Sequence, residues 1–243
     1  MAVLCVIPSG LASEGIVTWA AGSIDKVQSM LDANASGSIN IEDYWAIGDS
    51  RSVTYSGSAS GTSTSEWVLT DFNGTSSGGT EYNAVIHTRA LLSTSRYMNS
   101  SNTNVGSWNN CHMRNTVMAE IYAVIPSDFK ALIKEGSHIS GAGNATDQIQ
   151  TTNDYLFLFS EREVQGVRTY SGSVEYDNCK QFEYFTIAGN KQKTGNGGSY
   201  SGYWWLRSPY VSYAAGFCYV NPDGSANYAG ASYTFGVCPA ALI

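Results

Sequence analysis

Nucleophiles, bases and metal ligands are scarce in this chain of 243 residues. Cys5, Cys111, Cys179, Cys218 and Cys238 are odd in number and widely spaced. With no CxxC and no Cys/His pair at ligand spacing, they signal neither a disulfide framework nor a zinc site, and they read as small buried apolar groups. His87, His112 and His138 have no Cys, Ser or carboxylate at a known catalytic spacing, which an imidazole base would need. Glu161, Glu163 and Glu175 fall in capping or solvated contexts. The triplet Asn221-Pro222-Asp223 resembles part of a calcium loop, but calcium needs a convergent set of carboxylates and amides. With Gly224 behind it, the triplet reads as a turn. No catalytic residue, metal ligand or cofactor is therefore assigned, and the chemistry left to the chain is recognition.

Recognition chemistry concentrates at the C-terminal end. The aromatic run Tyr203-Trp204-Trp205-Leu206-Arg207-Ser208-Pro209 precedes a segment, Tyr210 to Phe235, that contains no Trp, Lys, Glu, Gln or Met. Those types make up roughly one residue in seven of the chain, so about three or four would be expected in such a window. Tyr with Ser, Gly and Asn is the composition of a paratope, in which Tyr gives rigid amphipathic contact area and the small residues give adaptable hydrogen bonds. Alternation assigns Phe217, Val220 and Val237 to the core, and Ala226 and Ala231 to small framework positions. The positions left to face a ligand are Tyr210, Ser212, Tyr213, Ala214, Gly216, Tyr219, Asn221, Pro222, Ser225, Asn227, Tyr228, Ala229, Gly230, Ser232, Tyr233 and Phe235. Beneath them Trp204, Trp205 and Leu206 would anchor a central strand. Arg207 suits a fixed hydrogen-bonded or ionic contact at the loop base better than a ligand contact.

The elements that must hold this segment can be read along the chain. Met1 to Pro8 is a short apolar lead, and a helix starts near Ser23 with Ile24, Val27 and Leu31 on one face and Gly37 as its stop. Ile39 to Asp49 alternates like a strand, and Val53 with Tyr55 continues it. Ser56–Ser65 and Gly74–Gly79 are hairpin tips beside the strands Trp67–Phe72 and Tyr82–His87. Trp108 to Tyr122 has helical spacing with Trp108, Cys111, Met118 and Ile121 inward, and a second helix restarts at Ile125-Pro126-Ser127-Asp128 and runs to about Lys134. Asn153 to Phe159 is a short apolar strand ending in a capping box, Ser160 with Glu163. A further helix is expected from Tyr176 to Ala188, ended by Gly189, and short strands and turns fill the remainder. Helices in the middle and strands at both ends predict an α+β fold.

Composition bounds the surroundings. A 43% apolar content is ample for a core. A net charge of −7 with scattered Lys and Arg leaves no footprint for nucleic acid. No segment approaches the length of a membrane span, and Met1–Pro8 lacks the basic flank and length of a signal peptide. Charged residues are only 14% of the chain against much Ser, Thr, Asn and Gly, a balance found in extracellular or virion-exposed β-rich proteins.

Several motifs, in order, carry a resemblance. They are Asp43-Tyr44-Trp45 with Ile47-Gly48-Asp49; Trp108 before Met113-Arg114; Ile125-Pro126; Asp154-Tyr155-Leu156-Phe157-Leu158-Phe159-Ser160 with Glu163-Val164; Tyr203 to Pro209; Val220 with Asp223-Gly224; and Gly236-Val237 with Pro239-Ala240. From about Ile39 to Ile243 the chain resembles the variable proteins of diversity-generating retroelements, a bacterial and phage domain family with a C-type-lectin-like fold related to formylglycine-generating enzymes. In such systems, the resemblance implies, template adenines are mutated during reverse transcription. Asn codons ending in a pyrimidine then never reach Trp, Lys, Glu, Gln or Met, which is the alphabet missing from Tyr210–Phe235. Cys238 departs from the pattern, since the family usually has Arg before the Pro.

The resemblance implies a C-type-lectin-like domain over 39–243, built of short antiparallel strands with a few packed helices, behind an N-terminal arm over 1–38. Its variable region covers about 203–243. The function implied is binding without catalysis, to a protein or other receptor on a bacterial host cell, from a phage tail or a cell surface. Alternatives are a formylglycine-generating type of enzyme using Cys218 or Cys238, or a non-diversified surface domain of the same fold. Oligomeric state is left open. The DNA beside the gene is expected to carry a near-repeat of the Tyr210–Phe235 coding segment that differs mainly at adenines, next to a reverse transcriptase gene. Sequencing the locus checks this.

Overall fold

A computed structural model describes residues 15–195 and 201–243. The apolar lead Met1–Pro8 and Cys5 lie outside the described residues. Helix α1 (Ile24–Ala35) buries Val27, Met30 and Leu31, and the chain turns away at Gly37, whose φ of +72° suits a residue without Cβ. These side chains belong to the same core as Trp19, Trp45 and Trp67. Among the described residues, packing therefore draws no boundary between 15–38 and the remainder.

The expected strand Ile39–Asp49 is instead a short 3-10 turn over Ile41–Asp43. Asn40 caps it by accepting from the Glu42 N–H at 3.3 Å, and the buried side chains are Ile41 and Trp45, four apart. That is helical spacing, which the eye reads as alternation only because Ile39 and Ile47 flank it.

Three antiparallel strands follow: β1 (Ser50–Ala59), β2 (Thr62–Thr75) and β3 (Glu81–Thr88). The tips fall as the sequence predicts, although β1 and β2 run further into the Ser/Thr-rich stretch. The sheet is completed from the far end of the chain by β9 (Ala240–Leu242), which pairs with β3.

The Trp108–Tyr122 segment is broken into α2 (Ser107–Asn110), a π-helical stretch (Met113–Met118) and α3 (Ala119–Val124). Trp108, Cys111, Met118 and Ile121 are all buried. Helix α4 (Ser127–Leu132) restarts directly after Pro126.

A hairpin, β4 (Gly136–Gly141) with β5 (Ile149–Asp154), precedes the apolar run Leu156–Phe159. That run is not a strand of the hairpin. Phe157 instead exchanges backbone hydrogen bonds with Ala240, at 3.0 and 2.9 Å. The expected Tyr176–Ala188 helix is shorter and earlier, as α6 (Ser173–Asp177), with 3-10 turns at Glu183–Thr186 and Ala188–Lys191. Phe182 leaves helical geometry to donate its N–H to the Glu163 carbonyl, which belongs to α5 (Glu161–Gln165).

The last sheet is antiparallel: β6 (Trp204–Pro209), β7 (Gly216–Val220) and β8 (Ala226–Gly230), in that order. The chain is thus α+β with antiparallel sheets. Among the described residues no helix is long and apolar enough to cross a membrane.

Trp205 is fully buried, packs on Phe235 at 4.6 Å, and donates its indole N–H to the Arg96 carbonyl at 2.8 Å. Trp205→Ala should cost about 3–5 kcal/mol, read from urea unfolding. An unchanged midpoint would remove Trp205 from the core.

Candidate functional site

The Tyr-rich segment stands on β6, and β6 is held by charge inside the protein. Arg207 has no exposed surface and donates to five acceptors. Its Nε donates to the Ile139 carbonyl (3.1 Å) and Nη1 to the Leu158 carbonyl (2.8 Å) and Glu163 Oε2 (2.6 Å). Its Nη2 donates to Glu163 Oε1 (2.6 Å) and Ser77 Oγ (3.3 Å). A guanidinium has five N–H donors, so none is left for a ligand.

Glu163 also closes the capping box of α5. It accepts from the Ser160 N–H (2.8 Å), while Ser160 Oγ accepts from the Glu163 N–H. Ser208 continues the network, accepting from the Glu161 N–H (2.8 Å) and donating to Glu175, which also accepts from the Gly141 N–H (2.8 Å). Burial pushes the Glu175 carboxyl up to about 7, against the pull of Ser208 and Arg207.

Above this base the segment is fixed by its own main chain. Asn104, fully buried, donates its side-chain amide to the carbonyls of Tyr210 (3.4 Å), Tyr213 (3.0 Å) and Gly216 (2.7 Å), and its N–H to Ala214 O (2.8 Å). The Val211 N–H donates to Tyr170 O (3.0 Å). Farther on, Ala231 O accepts from the N–H groups of Met98 and Asn99, Phe235 and Arg96 exchange backbone bonds, and Asn102 Oδ1 accepts from Ser232 N–H and Oγ.

The turn Asn221–Gly224 closes the β7–β8 hairpin, with Gly224 at φ +88°. Asp223 Oδ1 accepts from Ser225 N–H (2.9 Å) and Oγ (2.6 Å), which ties one oxygen of this exposed carboxylate to the turn.

Side chains of the segment divide by exposure. Ser212, Tyr213, Pro222, Ser225, Tyr228 and Tyr233 are exposed, with Tyr213 at 48%, Tyr228 at 39% and Tyr233 at 49%. Tyr210, Ala214, Asn221, Asn227, Ala229, Gly230 and Ser232 are half-buried. Gly216, Tyr219 and Phe235, expected on the ligand face, are buried instead. Tyr219 (8% exposed) and Phe235 (3%) pack on each other at 4.6 Å and both meet Trp205 and Tyr203, with Tyr219 on the β7 face that also carries Phe217. Tyr219 stands two residues from Phe217 on β7, so the pleat sets both rings on one face and the expected exposure of Tyr219 fails. At Gly216 a Cβ would stand 3.1 Å from the Ala229 carbonyl, which leaves little room for a side chain. Phe217, Cys218, Val220 and Val237 are fully buried, Ala231 is buried, and Ala226 is half-buried.

Sequence reasoning overlooked Asn104, Asn102 and Tyr170. The Asn102-Thr103-Asn104 run looks like any polar loop, since its meaning lies in carbonyls more than a hundred residues away. Tyr170 meets Tyr210 edge to face (5.6 Å) and Tyr228 at a tilt (5.2 Å), and those two are tilted against each other at 4.1 Å.

The remaining candidates sit elsewhere. His87 is buried between Thr70 (Oγ1 to Nδ1, 2.6 Å) and Lys193 (Nζ to Nε2, 2.6 Å). Burial drives its pKa well down and that of Lys193 to about 8. Lys193 therefore donates to a neutral imidazole. Cys238 lies against this group, its thiol donating to the Thr88 carbonyl (3.4 Å), and burial pushes its pKa up. The buried cation beside it is Lys193. Burial also raises the pKa of Cys218, well above a reactive range. His138 is buried against Phe157 at 3.9 Å, and His112 stacks on Tyr97 at 4.8 Å.

Residues 81–243 match the model of a family described as a domain of unknown function, DUF6273, and the chain belongs to that family. No curated protein and no solved structure matches.

Two outcomes are expected. Asn104→Ala strands buried carbonyls and should lower stability by about 1–3 kcal/mol, read as a lower melting midpoint; a midpoint unmoved would show that the loop does not depend on it. For Glu175, the folded state keeps a proton that the unfolded chain releases above its ordinary value of 4.5. Its contribution is thus full below that value and is lost as pH rises through about 7. Buried His87 and His138 act with the opposite sign, so the measurement is the stability of wild type minus that of Glu175→Gln. This difference should fall between pH 4.5 and 7 and stay flat if Glu175 is ordinary.

Proposed function

We propose that this DUF6273 member is a binding protein that recognises a receptor on a bacterial cell through the Tyr-rich surface of residues 210–235, carried on a C-type-lectin-like scaffold. We read the surface as diversified and its setting as a phage tail or cell surface. The observation that carries the proposal is the way the segment is held. Asn104, Asn102, Met98, Asn99 and Arg96 fix it through backbone groups and Ser232, while Tyr213, Tyr228 and Tyr233 project into solvent. A loop fixed by its carbonyls and N–H groups keeps its shape when its side chains change. Diversification requires that property, and an ordinary surface loop has no need of it. Exposed tyrosines in a group on one segment also mark partner sites more often than bare surface.

Changing Tyr213, Tyr228 or Tyr233 singly to Ser should leave stability within about ±0.5 kcal/mol, whereas Tyr219→Ser and Phe235→Ser should lower it clearly because both rings are core. Binding of labelled protein to host cells should depend on the exposed tyrosines and be indifferent to a calcium chelator. Loss of binding on chelation, with the tyrosine variants unaffected, would replace this reading by a metal-dependent lectin.

A further inference from the structure

We propose that Glu175 is a positioning residue for the recognition surface, holding the loops around it closed while its carboxyl carries a proton and releasing them when that proton leaves. The inference rests on the reading of residues 210–235 as a recognition surface. Three segments meet at this carboxyl. Glu175 stands in α6, its Oε2 accepts from the N–H of Gly141 at the end of β4 (2.8 Å), and its Oε1 accepts from Ser208 Oγ, two residues before Tyr210. The approach is close: a Cβ at Gly141 would stand 2.9 Å from Pro209 Cγ and 3.1 Å from Glu175 Oε2.

The same segments are tied again farther out. Asp147, on the loop between β4 and β5, accepts from the Val174 N–H (3.2 Å) and from Ser173 Oγ, both in α6. Asn144, on that loop, donates its N–H to Asn104 Oδ1 (2.9 Å), and the Asn104 amide holds the carbonyls of Tyr210, Tyr213 and Gly216. Glu175 is thus the root of a ring of bonds that runs from α6 through 142–148 to the 210–216 loop.

The balance of charge makes this carboxyl the one that keeps a proton. Glu161, Glu163 and Glu175 are all buried, and the buried cation among them is Arg207. Glu163 takes the guanidinium, and Glu161 takes four donors, the N–H groups of Thr169, Tyr170 and Ser171 and the Ser171 hydroxyl. Glu175 has two neutral donors and no bond to the guanidinium. The other groups on the elements packed around it leave that deficit. Burial keeps His138 on β4 and the thiols of Cys179 and Cys218 neutral. Asp147 and Asp177 are acids at the surface, Arg162 is engaged with the Tyr176 ring (4.2 Å) and hydroxyl (2.7 Å), and Arg168 is exposed.

Ionised, Glu175 adds a second uncompensated negative charge to a dry site, and water reaches it where α6 parts from Gly141 and Ser208. Burial holds the carboxyl up at about 7, so the loops are closed below that pH and loosen as pH rises through it.

Hydrogen exchange of the free protein, read by mass spectrometry and corrected for intrinsic rates, tests the joint. Between about pH 6 and 8, protection of peptides covering 141–148 and 209–216 should fall by about threefold or more in wild type. In Glu175→Gln, whose amide copies the protonated acid, it should change by less than about 1.5-fold. Every other titrating group is common to the two proteins. Ser208→Ala removes a hydrogen bond that favours the ionised form and should move the midpoint of the profile to higher pH, which carries the test if Glu175→Gln does not fold. Over the same range, decoration of a bacterial isolate by labelled protein should fall by about threefold in wild type and hold steady in Glu175→Gln.

Matching exchange profiles in wild type and Glu175→Gln, or a midpoint that Ser208→Ala leaves in place, would overturn the proton-controlled joint. A difference in exchange with matching binding profiles would overturn the positioning role and leave the recognition surface standing. Decoration of no isolate would sink the recognition reading, while the exchange profiles would still decide whether Glu175 controls these loops.

Discussion

A guanidinium with no contact with water decides where the C-terminal third of the chain can lie. Arg207 reaches the β2–β3 tip through Ser77, β4 through Ile139, the Leu156–Phe159 run through Leu158 and the start of α5 through Glu163. Four separate parts of the fold thus meet on this one group. An ion pair this dry gains little over apolar packing of the same volume, but removing one partner leaves a bare charge and costs about 3–5 kcal/mol. Its value is therefore in uniqueness of arrangement. Any shift of β6 along its axis would break several charge-assisted bonds at once.

The polar interior has a second centre, and the contrast is instructive. Lys193, His87 and Thr70 form a chain without a carboxylate, and the ammonium is surrounded by Tyr184, Phe185 and Trp204, 5.4 to 5.9 Å from their ring centres. Around Arg207 charge is neutralised by a paired acid. Around Lys193 it is tolerated through ring faces and an imidazole acceptor, at the expense of a lowered pKa. Arg207 belongs to β6 itself and Lys193 lies against Trp204 of the same strand, so the strand that carries the Tyr-rich segment is held by bonds with strict geometry.

Most of the fold was legible where one periodicity dominates. Helix α1, strands β2 and β3, the buried face of Trp108, Cys111, Met118 and Ile121, the Ser160–Glu163 capping box and the Asn221–Gly224 turn all follow from local pattern. Ile39–Asp49 and Tyr176–Ala188 misled because a few apolar residues fit two periods, and tertiary hydrogen bonds such as Phe182 to Glu163 chose between them. The base of the site could be read from Trp204, Trp205 and Arg207, whose types are out of place on a surface. Its inner lining could not. Tyr219 and Tyr213 are the same residue in the same composition, and only the packing of Phe235 and Trp205 separates core from surface. The Asn104 amide was invisible for a different reason: its partners are carbonyls, which every residue has.

Because Asn104 grips carbonyls of Tyr210, Tyr213 and Gly216, the 210–216 loop is ordered before anything approaches it. Association then has little chain freedom left to remove, so more of each contact survives as net affinity. The encounter also need not wait for a rearrangement, which is what slows docking between flexible partners. If the segment is diversified as we propose, variants that share this frame would differ chiefly in how long they stay bound. Residence time, set mainly by side chains, would on that proposal be the quantity on which selection among them acts.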